Sequence, residues 1–110
     1  MDYKVELTDS ARHDLAEIHT YIKDQFFSEQ AAQHTVQNIL LGLATLELFP
    51  TSGFCVASRI GRAIPSANDY RGLVLGNHIV FYDVNESEAL VEVDRILHTK
   101  QNWIEVLGKD

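Results

Sequence analysis

Cysteine is almost absent from this sequence of 110 residues, and so are the motifs of common catalytic sites. The single Cys55 excludes an internal disulfide and a cysteine-rich zinc site, and its neighbours Phe54 and Val56 favour a small core or loop residue over a reactive thiol. No histidine pair has helical metal spacing, and no glycine-rich phosphate loop or Gly-x-Ser-x-Gly turn occurs. The sequence therefore predicts no metal and no cofactor, and it supports no ordinary hydrolase, oxidoreductase or kinase.

Positive charge and long apolar runs are also scarce. Nine Lys and Arg residues stand against sixteen Asp and Glu residues, which gives a net charge of −7. Nucleic-acid-binding proteins usually present a basic face, because phosphate contacts supply most of their affinity, so this balance weighs against general nucleic-acid binding. No apolar run approaches the ~20 residues of a membrane span, and the N-terminus lacks a charged-then-apolar signal sequence. We therefore expect a cytoplasmic protein without membrane association.

The charge is unevenly distributed along the chain. Residues 48–68 contain no Asp or Glu, whereas Arg59 and Arg62 lie in that segment and Arg71 follows it. One interpretation is a solvated loop in which the arginines have no partner. The other is a docking patch for an acidic partner. The sequence alone leaves both open.

The first half of the chain predicts a strand and two helices. Residues 3–7 alternate as a half-buried strand does, and Thr8 and Ser28 can each cap a following helix. Each predicted helix has one apolar stripe: Ala11, Leu15, Ile18, Ile22 and Phe26 in the first, and Ala32, Val36, Ile39, Leu40, Leu43 and Leu46 in the second. The short link predicts an antiparallel hairpin, and Gly42 within the second stripe indicates a close contact between helices.

The second half of the chain is strand-like. Residues 54–60 are a strand or an extended loop, residues 64–68 are a loop, and the dipeptide Gly76-Asn77 joins strands at residues 70–75 and 78–84. Strict alternation over residues 90–97 predicts a third strand, with Val91, Val93, Arg95 and Leu97 on one face and Leu90, Glu92, Asp94 and Ile96 on the other. Residues 100–107 form a short helix. The order β-α-α-β-β-β indicates one α+β domain over residues 1–110, a helical hairpin packed on an antiparallel sheet.

Four short runs resemble the RelE/ParE superfamily of toxins from type II toxin–antitoxin systems. They are Leu-Thr-Asp-Ser-Ala at residues 7–11, Phe-Pro-Thr-Ser-Gly at 49–53, residues 73–84, which include Ile-Val-Phe-Tyr at 79–82, and residues 93–98, which end in Arg-Ile-Leu-His. They occur in the same order and at similar spacing over nearly the whole chain. The resemblance implies a compact toxin neutralised by a small antitoxin, whose helix and extended segment wrap around it.

The resemblance also implies a choice between two targets. RelE- and YoeB-like members cut mRNA on the ribosome, whereas ParE-like members poison DNA gyrase. The ribonucleases typically carry an arginine where this sequence has Ile79. A metal-free ribonuclease needs fixed cations to stabilise the charge that develops on the scissile phosphate, and isoleucine supplies none. The Arg-Ile-Leu-His run is similar to ParE-like members, although the following residues 99–102 lack the glycine and arginines usual there.

We therefore expect a gyrase-binding toxin without a catalytic site of its own. The expected target-binding residues are Arg59, Arg62, Arg71, Arg95 and His98. The alternative is a ribosome-dependent endoribonuclease in which Arg71 and Arg95 hold phosphates and His98 is the general acid or base. Against that chemistry, Arg95 can pair with a carboxylate such as Asp83 or Glu92, and His98 can cap the strand end. A degenerate toxin that only binds its antitoxin is a third possibility.

The expected antitoxin contacts lie in the last strand and the tail. An exposed sheet edge or apolar groove can accept a strand or helix from another chain. The residues expected to form this contact are Leu90, Val93, Leu97, Trp103 and Leu107.

Overall fold

A computed structural model describes residues 2–61 and 68–108 of the chain. The strands are β1 (Lys4–Leu7), β2 (Phe54–Cys55), β3 (Tyr70–Leu75), β4 (His78–Asn85) and β5 (Leu90–His98). The helices are α1 (Asp9–Phe26), α2 (Glu29–Thr45), α3 (Val56–Ile60) and α4 (Trp103–Gly108). The strands form a sheet in the order β1-β5-β4-β3-β2. The predicted α+β fold, with its helical hairpin and short C-terminal helix, is confirmed.

The helical hairpin begins and turns where the sequence predicted. The Thr8 hydroxyl accepts a hydrogen bond from the Ala11 N–H at 3.1 Å, and the Ser28 hydroxyl accepts one from the Ala31 N–H at 3.1 Å. Each bond satisfies an amide at the start of a helix that would otherwise lack a partner. α1 ends at Phe26, and the following residue, Phe27, has a left-handed φ of 51° that reverses the chain within two residues.

The sheet is antiparallel except at one edge. β3 and β4 form the predicted hairpin, and Gly76 in its two-residue link has a φ of 62°. β1 pairs with β5 in parallel, and this pairing covers only the first half of β5, up to Leu7 opposite Val93. Within residues 2–61 and 68–108, no strand therefore adjoins the second half of β5 on that side.

The alternation expected along β5 is wrong in its second half. The register between β4 and β5 shifts at Asp94, which faces no partner on β4. Consequently Val93 and Ile96 both lie in the core beneath α1 and α2, whereas Leu97 lies on the opposite face of the sheet. A β-bulge inserts one extra residue, so every side chain after it changes face, and strict alternation in the sequence does not predict this change.

The sheet carries a hydrophobic core on each face. The larger core, between the sheet and the helical hairpin, includes Ile39 of α2 and Val80 and Tyr82 of β4. On the other face, Ile79 and Phe81 pack with residues of α3 and α4. Because side chains alternate along a strand, β4 is buried on both faces and forms the centre of the domain.

Two further expectations need correction. Residues 54–60 are neither one strand nor an extended loop, since β2 ends at Cys55 and α3 follows it directly. Gly42 does not mark a contact between helices: a Cβ atom there would collide with the Leu75 side chain of β3, so the close contact joins α2 to the sheet. Most of the loop predicted at residues 64–68 lies outside the described residues. Among the described helices, none is long and apolar enough to cross a membrane.

Replacing Gly42 with alanine tests this close contact. In an open helix position, Gly→Ala stabilises by about 1 kcal/mol. We expect that gain to be lost for Gly42→Ala, because Leu75 must move, and to reappear when Leu75→Ala makes room. Urea denaturation of the two single variants and the double variant measures the coupling, with Gln37→Ala on the exposed side of α2 as the control. Equal effects of Gly42→Ala in both backgrounds would contradict the contact.

Candidate functional site

A groove separates the helical hairpin from one end of the sheet. Its volume is 1510 Å³, and its walls come from α1, α2, the β3–β4 turn and the end of β5. Ile18, Ile22 and Leu75 give the walls an apolar stretch. Tyr21 and Phe26 also line it, and 63% and 65% of these residues are exposed. The groove is therefore an open apolar channel, and its end at β5 carries polar and charged groups.

Asp14 forms the polar end of this groove together with Arg95. The Asp14 carboxylate accepts hydrogen bonds from Arg95 Nε at 2.8 Å and Nη2 at 3.2 Å. It also accepts one from the backbone N–H of Ile96 at 2.9 Å. Ile96 lies in the half of β5 that β1 does not cover, so the carboxylate takes the place of a neighbouring strand. Only 9% of Asp14 is exposed, yet its oxygens are paired with a cation and an amide.

Arg95 therefore has a carboxylate partner, but not the one expected. Asp83 instead accepts hydrogen bonds from the backbone N–H groups of Asn68 and Asp69. The expected partners, Asp83 and Glu92, lie on β4 and β5, whereas Asp14 lies on α1. A sequence signal for Asp14 exists: it follows Ala11 by three residues and precedes Ile18 by four, which places a carboxylate on the buried stripe of α1.

His98 caps the strand end, as one of the two sequence interpretations had it. Its Nδ1 accepts a hydrogen bond from the backbone N–H of Lys100 at 3.1 Å, which places the proton of the neutral ring on Nε2. His78 lies directly opposite on β4, with ring centroids 5.3 Å apart and planes inclined by 77°. Both rings line the groove. His78 was not predicted, and its place on the central strand was the available signal.

His78 is the most buried titratable ring among the described histidines. Only 8% of the residue is exposed, and no described residue hydrogen-bonds its ring nitrogens. Burial, followed by the proximity of His98, lowers the pKa of His78 below its usual value. The ring is therefore neutral at pH 7.

Arg71 lies on β3, next to the edge strand β2, and serves the structure. Its Nε donates to Asp69 at 2.9 Å, and Nη1 donates to the carbonyls of Gly53 at 2.8 Å and Thr51 at 3.1 Å. The Tyr82 hydroxyl accepts a hydrogen bond from the Gly53 N–H at 3.0 Å, and burial raises the pKa of Tyr82. Arg71 thus anchors the turn before β2, and it does not line the groove with Arg95 and His98.

The remaining predicted target-binding residues lie elsewhere. Arg59 is exposed on α3, and its guanidinium lies 4.2 Å from the centroid of the Phe54 ring. A cation over an aromatic face is held by a weak electrostatic attraction and keeps its outer side open to a partner. Arg62 lies outside the described residues.

The residues predicted to contact an antitoxin are mostly internal. Val93 and Leu97 lie in the two cores, with 0% and 3% of their surface exposed. Trp103 and Leu107 of α4 pack against the core on the α3 side, where the rings of Trp103 and Phe81 are 5.2 Å apart. Leu90 is half-buried between Lys4 of β1 and Asn85 of β4. These side chains hold the domain together, and their contact with an antitoxin stays a prediction.

Comparison with known proteins identifies the family. The model of the family described as the ParE toxin of the type II toxin–antitoxin system parDE matches residues 5–103. The chain belongs to the ParE toxin family. No curated protein sequence matches it.

Solved structures share the fold of this ParE-family chain. They include the chromosomal ParDE system from P. aeruginosa, with 18% identity, a TM-score of 0.67, and coverage of 87% of this chain and 95% of that one. The RelBE2 toxin–antitoxin complex from Mycobacterium tuberculosis has 16% identity and a TM-score of 0.58, and the match covers 89% of this chain and 99% of that one. The archaeal RelE–RelB complex from Pyrococcus horikoshii OT3 has 15% identity and a TM-score of 0.59, and the match covers 92% of this chain and 99% of that one. At such identities, these similarities establish the fold alone.

Neutralising Asp14 tests its role in holding α1 to the sheet. Asp14→Asn keeps the shape of the side chain but leaves Arg95 without its charge partner. We expect a loss of roughly 3 kcal/mol of unfolding free energy, at the low end for a broken buried ion pair because Arg95 remains partly exposed. Asp9→Asn, which breaks an exposed pair with Arg12, is the control and should cost under about 1 kcal/mol. Equal losses in the two variants, measured by urea denaturation, would refute the role.

Lowering the pH should destabilise the domain through His78. Its folded-state pKa is lower than the usual 6.5, so the unfolded state binds a proton first as the pH falls. The free energy of unfolding therefore decreases below about pH 6.5. We expect a smaller decrease in His78→Gln between about pH 7.5 and pH 5.5, whereas His34→Gln, an exposed position of α2, should follow the wild type. Parallel pH profiles for His78→Gln and the wild type would count against this assignment.

Proposed function

We propose that this ParE-family toxin arrests growth by binding and poisoning DNA gyrase, and that a cognate antitoxin neutralises it. The observation that carries the proposal is the position of Ile79. It replaces the arginine typical of the ribonuclease branch, and it is 6% exposed in the core under α3 and α4. An apolar pocket of this kind cannot hold the fixed cation that metal-free RNA cleavage needs.

The remaining candidate cations support the same proposal. Arg71 and Arg95 are each paired with an aspartate, at 2.9 and 2.8 Å, and they hydrogen-bond towards opposite edges of the sheet. Arg95 and His98 line the groove, whereas Arg71 does not. Arg95 must also neutralise Asp14 before it can stabilise any substrate charge. This arrangement favours binding over RNA cleavage by Arg71, Arg95 and His98 acting together.

Arg59 is the target-binding candidate that this proposal favours. It is exposed, and no carboxylate of the described residues pairs with it. It lies within residues 48–68, which contain no acidic residue, in a protein of net charge −7. A local positive surface of this kind is suited to an acidic patch of a large partner such as gyrase.

An antitoxin contact in the groove is the second part of the proposal. The apolar stretch with Tyr21 and Phe26 at its border suits the apolar face of a partner helix. One of the similar solved structures is described as a toxin–antitoxin complex, and another as a complex of RelE with RelB. Deleting the tail beyond Lys100 would be a poor test of this contact, because Trp103 covers Phe81 in the core and its loss would unfold the region.

The activity test compares the two targets directly. With purified gyrase and plasmid DNA, the protein should trap cleaved DNA. In a translation reaction it should leave mRNA intact. We expect Arg59→Glu to lower the gyrase effect at least about tenfold, a loss on the order of 1.4 kcal/mol of binding, because the reversed charge repels an acidic patch. Arg12→Glu, an exposed change on α1, is the matched control and should behave as the wild type.

Three outcomes would contradict the proposal. Position-specific mRNA cleavage that disappears in His98→Ala would establish the ribonuclease instead. No growth arrest on expression would leave only antitoxin binding. Full gyrase poisoning by Arg59→Glu would remove α3 from the target interface.

A further inference from the structure

The end of the groove at β5 contains polar groups that no described residue pairs with. His78 is more than nine-tenths buried and lines the groove, and no described residue hydrogen-bonds its ring. No fully buried side-chain nitrogen or oxygen of the described residues lacks a partner, so the unpaired ring nitrogens of His78 are open to the groove, where a partner from outside the chain can reach them.

His98 adds a second unused donor beside it. Its Nδ1 is engaged by the Lys100 N–H, so the neutral ring presents its Nε2–H, for which no acceptor occurs among the described residues. The rings of His98 and His78 are in contact, with centroids 5.3 Å apart. The ammonium group of Lys100 also has no ion-pair partner in the described part of the chain, and Lys100 lines the same groove.

The carboxylates nearby are already paired. The charged or titratable groups that line the groove with the two rings come from α1, β5 and the following turn: His13, Asp14, Glu17, Arg95 and Lys100. Asp14 binds Arg95 at 2.8 Å, and Glu17 lies 3.2 Å from His13. The groups that line this end of the groove without a partner among the described residues are therefore two imidazoles and one exposed ammonium, a set complementary to an additional carboxylate.

We propose that this end of the groove, formed by His78, His98 and Lys100, binds an Asp or Glu side chain of the antitoxin, and that the complex takes up a proton when it forms. This inference depends on the antitoxin contact proposed above and on nothing about gyrase. The apolar stretch of the groove receives the apolar face of the antitoxin helix, and the acidic residue sets its position along the groove.

The proton uptake follows from the state of the free toxin. Burial keeps His78 neutral at pH 7 because its pKa is lowered. A carboxylate seated beside it favours the charged ring and raises that pKa, so a proton binds together with the antitoxin. Antitoxin affinity should consequently increase as the pH falls from about 8 to about 6, by up to about tenfold per pH unit for one proton.

The test uses the full chain and its cognate antitoxin, purified as a complex and then separated. Isothermal titration at pH 7.5 in phosphate and in Tris, which differ in ionisation enthalpy, measures the protons taken up. We expect an uptake in the wild type that is lost, together with the pH dependence of the affinity, in His78→Gln. His34→Gln, outside the groove, is the matched control and should keep both.

The acidic residue is then located from the antitoxin side. Each Asp or Glu of the antitoxin helix is changed to its amide, and one change should weaken binding at least about fivefold for wild-type toxin but little for His78→Gln. Tight binding of the wild type without proton uptake, and without dependence on pH, would overturn the inference while leaving antitoxin binding intact. Absence of binding would instead refute the antitoxin contact itself, and neither result bears on gyrase.

Discussion

The structure depends on one buried carboxylate that completes an incomplete sheet. β1 covers only the first half of β5, and an uncovered strand would leave the Ile96 amide without a partner at the wall of the groove. Asp14 supplies that partner and binds Arg95 at the same time, which fastens α1 to the sheet. Because α1 carries one wall of the groove, the same contact sets the width of the site where we propose that the antitoxin binds.

This contact also decides how Arg95 can act. A guanidinium that neutralises a carboxylate with little exposure to solvent is a structural group first, and its field is largely cancelled for a second anion. Arg71 is restrained in the same way by Asp69 and by two carbonyls of the turn before β2. The chain thus uses two of its few cations to build the fold. Arg59 is exposed on α3, and it is the cation that we propose for recognition of the target.

Local patterns predicted most of the fold. The helix starts at Thr8 and Ser28 and the turn at Gly76 follow from capping and turn chemistry within a few residues, and the structure confirms them. The errors arise where distant residues decide. The bulge at Asp94 and the contact of Gly42 with Leu75 depend on pairing and packing between elements far apart in the chain, which no periodicity contains. The same holds for α3, where the segment after β2 becomes helical while it packs on the second core.

The candidate site was less accessible to sequence reasoning than the fold. Arg95 and His98 were predicted at the end of the last strand, and both line the groove, but the Asp14 partner of Arg95 lies 81 positions away on α1. Arg71 was grouped with them because all three residues bear nitrogen donors, but its guanidinium binds the turn before β2 and does not line the groove. Asp14 on a buried stripe and a histidine on a central strand were the two signals of a polar end to the groove. Both are local exceptions to an apolar pattern, and such exceptions are where functional sites are expected.

We propose that this toxin acts by binding its target rather than by cleaving RNA. The most direct measurement is sedimentation of the labelled protein, freed of antitoxin, with purified gyrase and separately with translating ribosomes. We expect stoichiometric co-sedimentation with gyrase and none with ribosomes. Saturable binding to ribosomes, with no binding to gyrase, would contradict it.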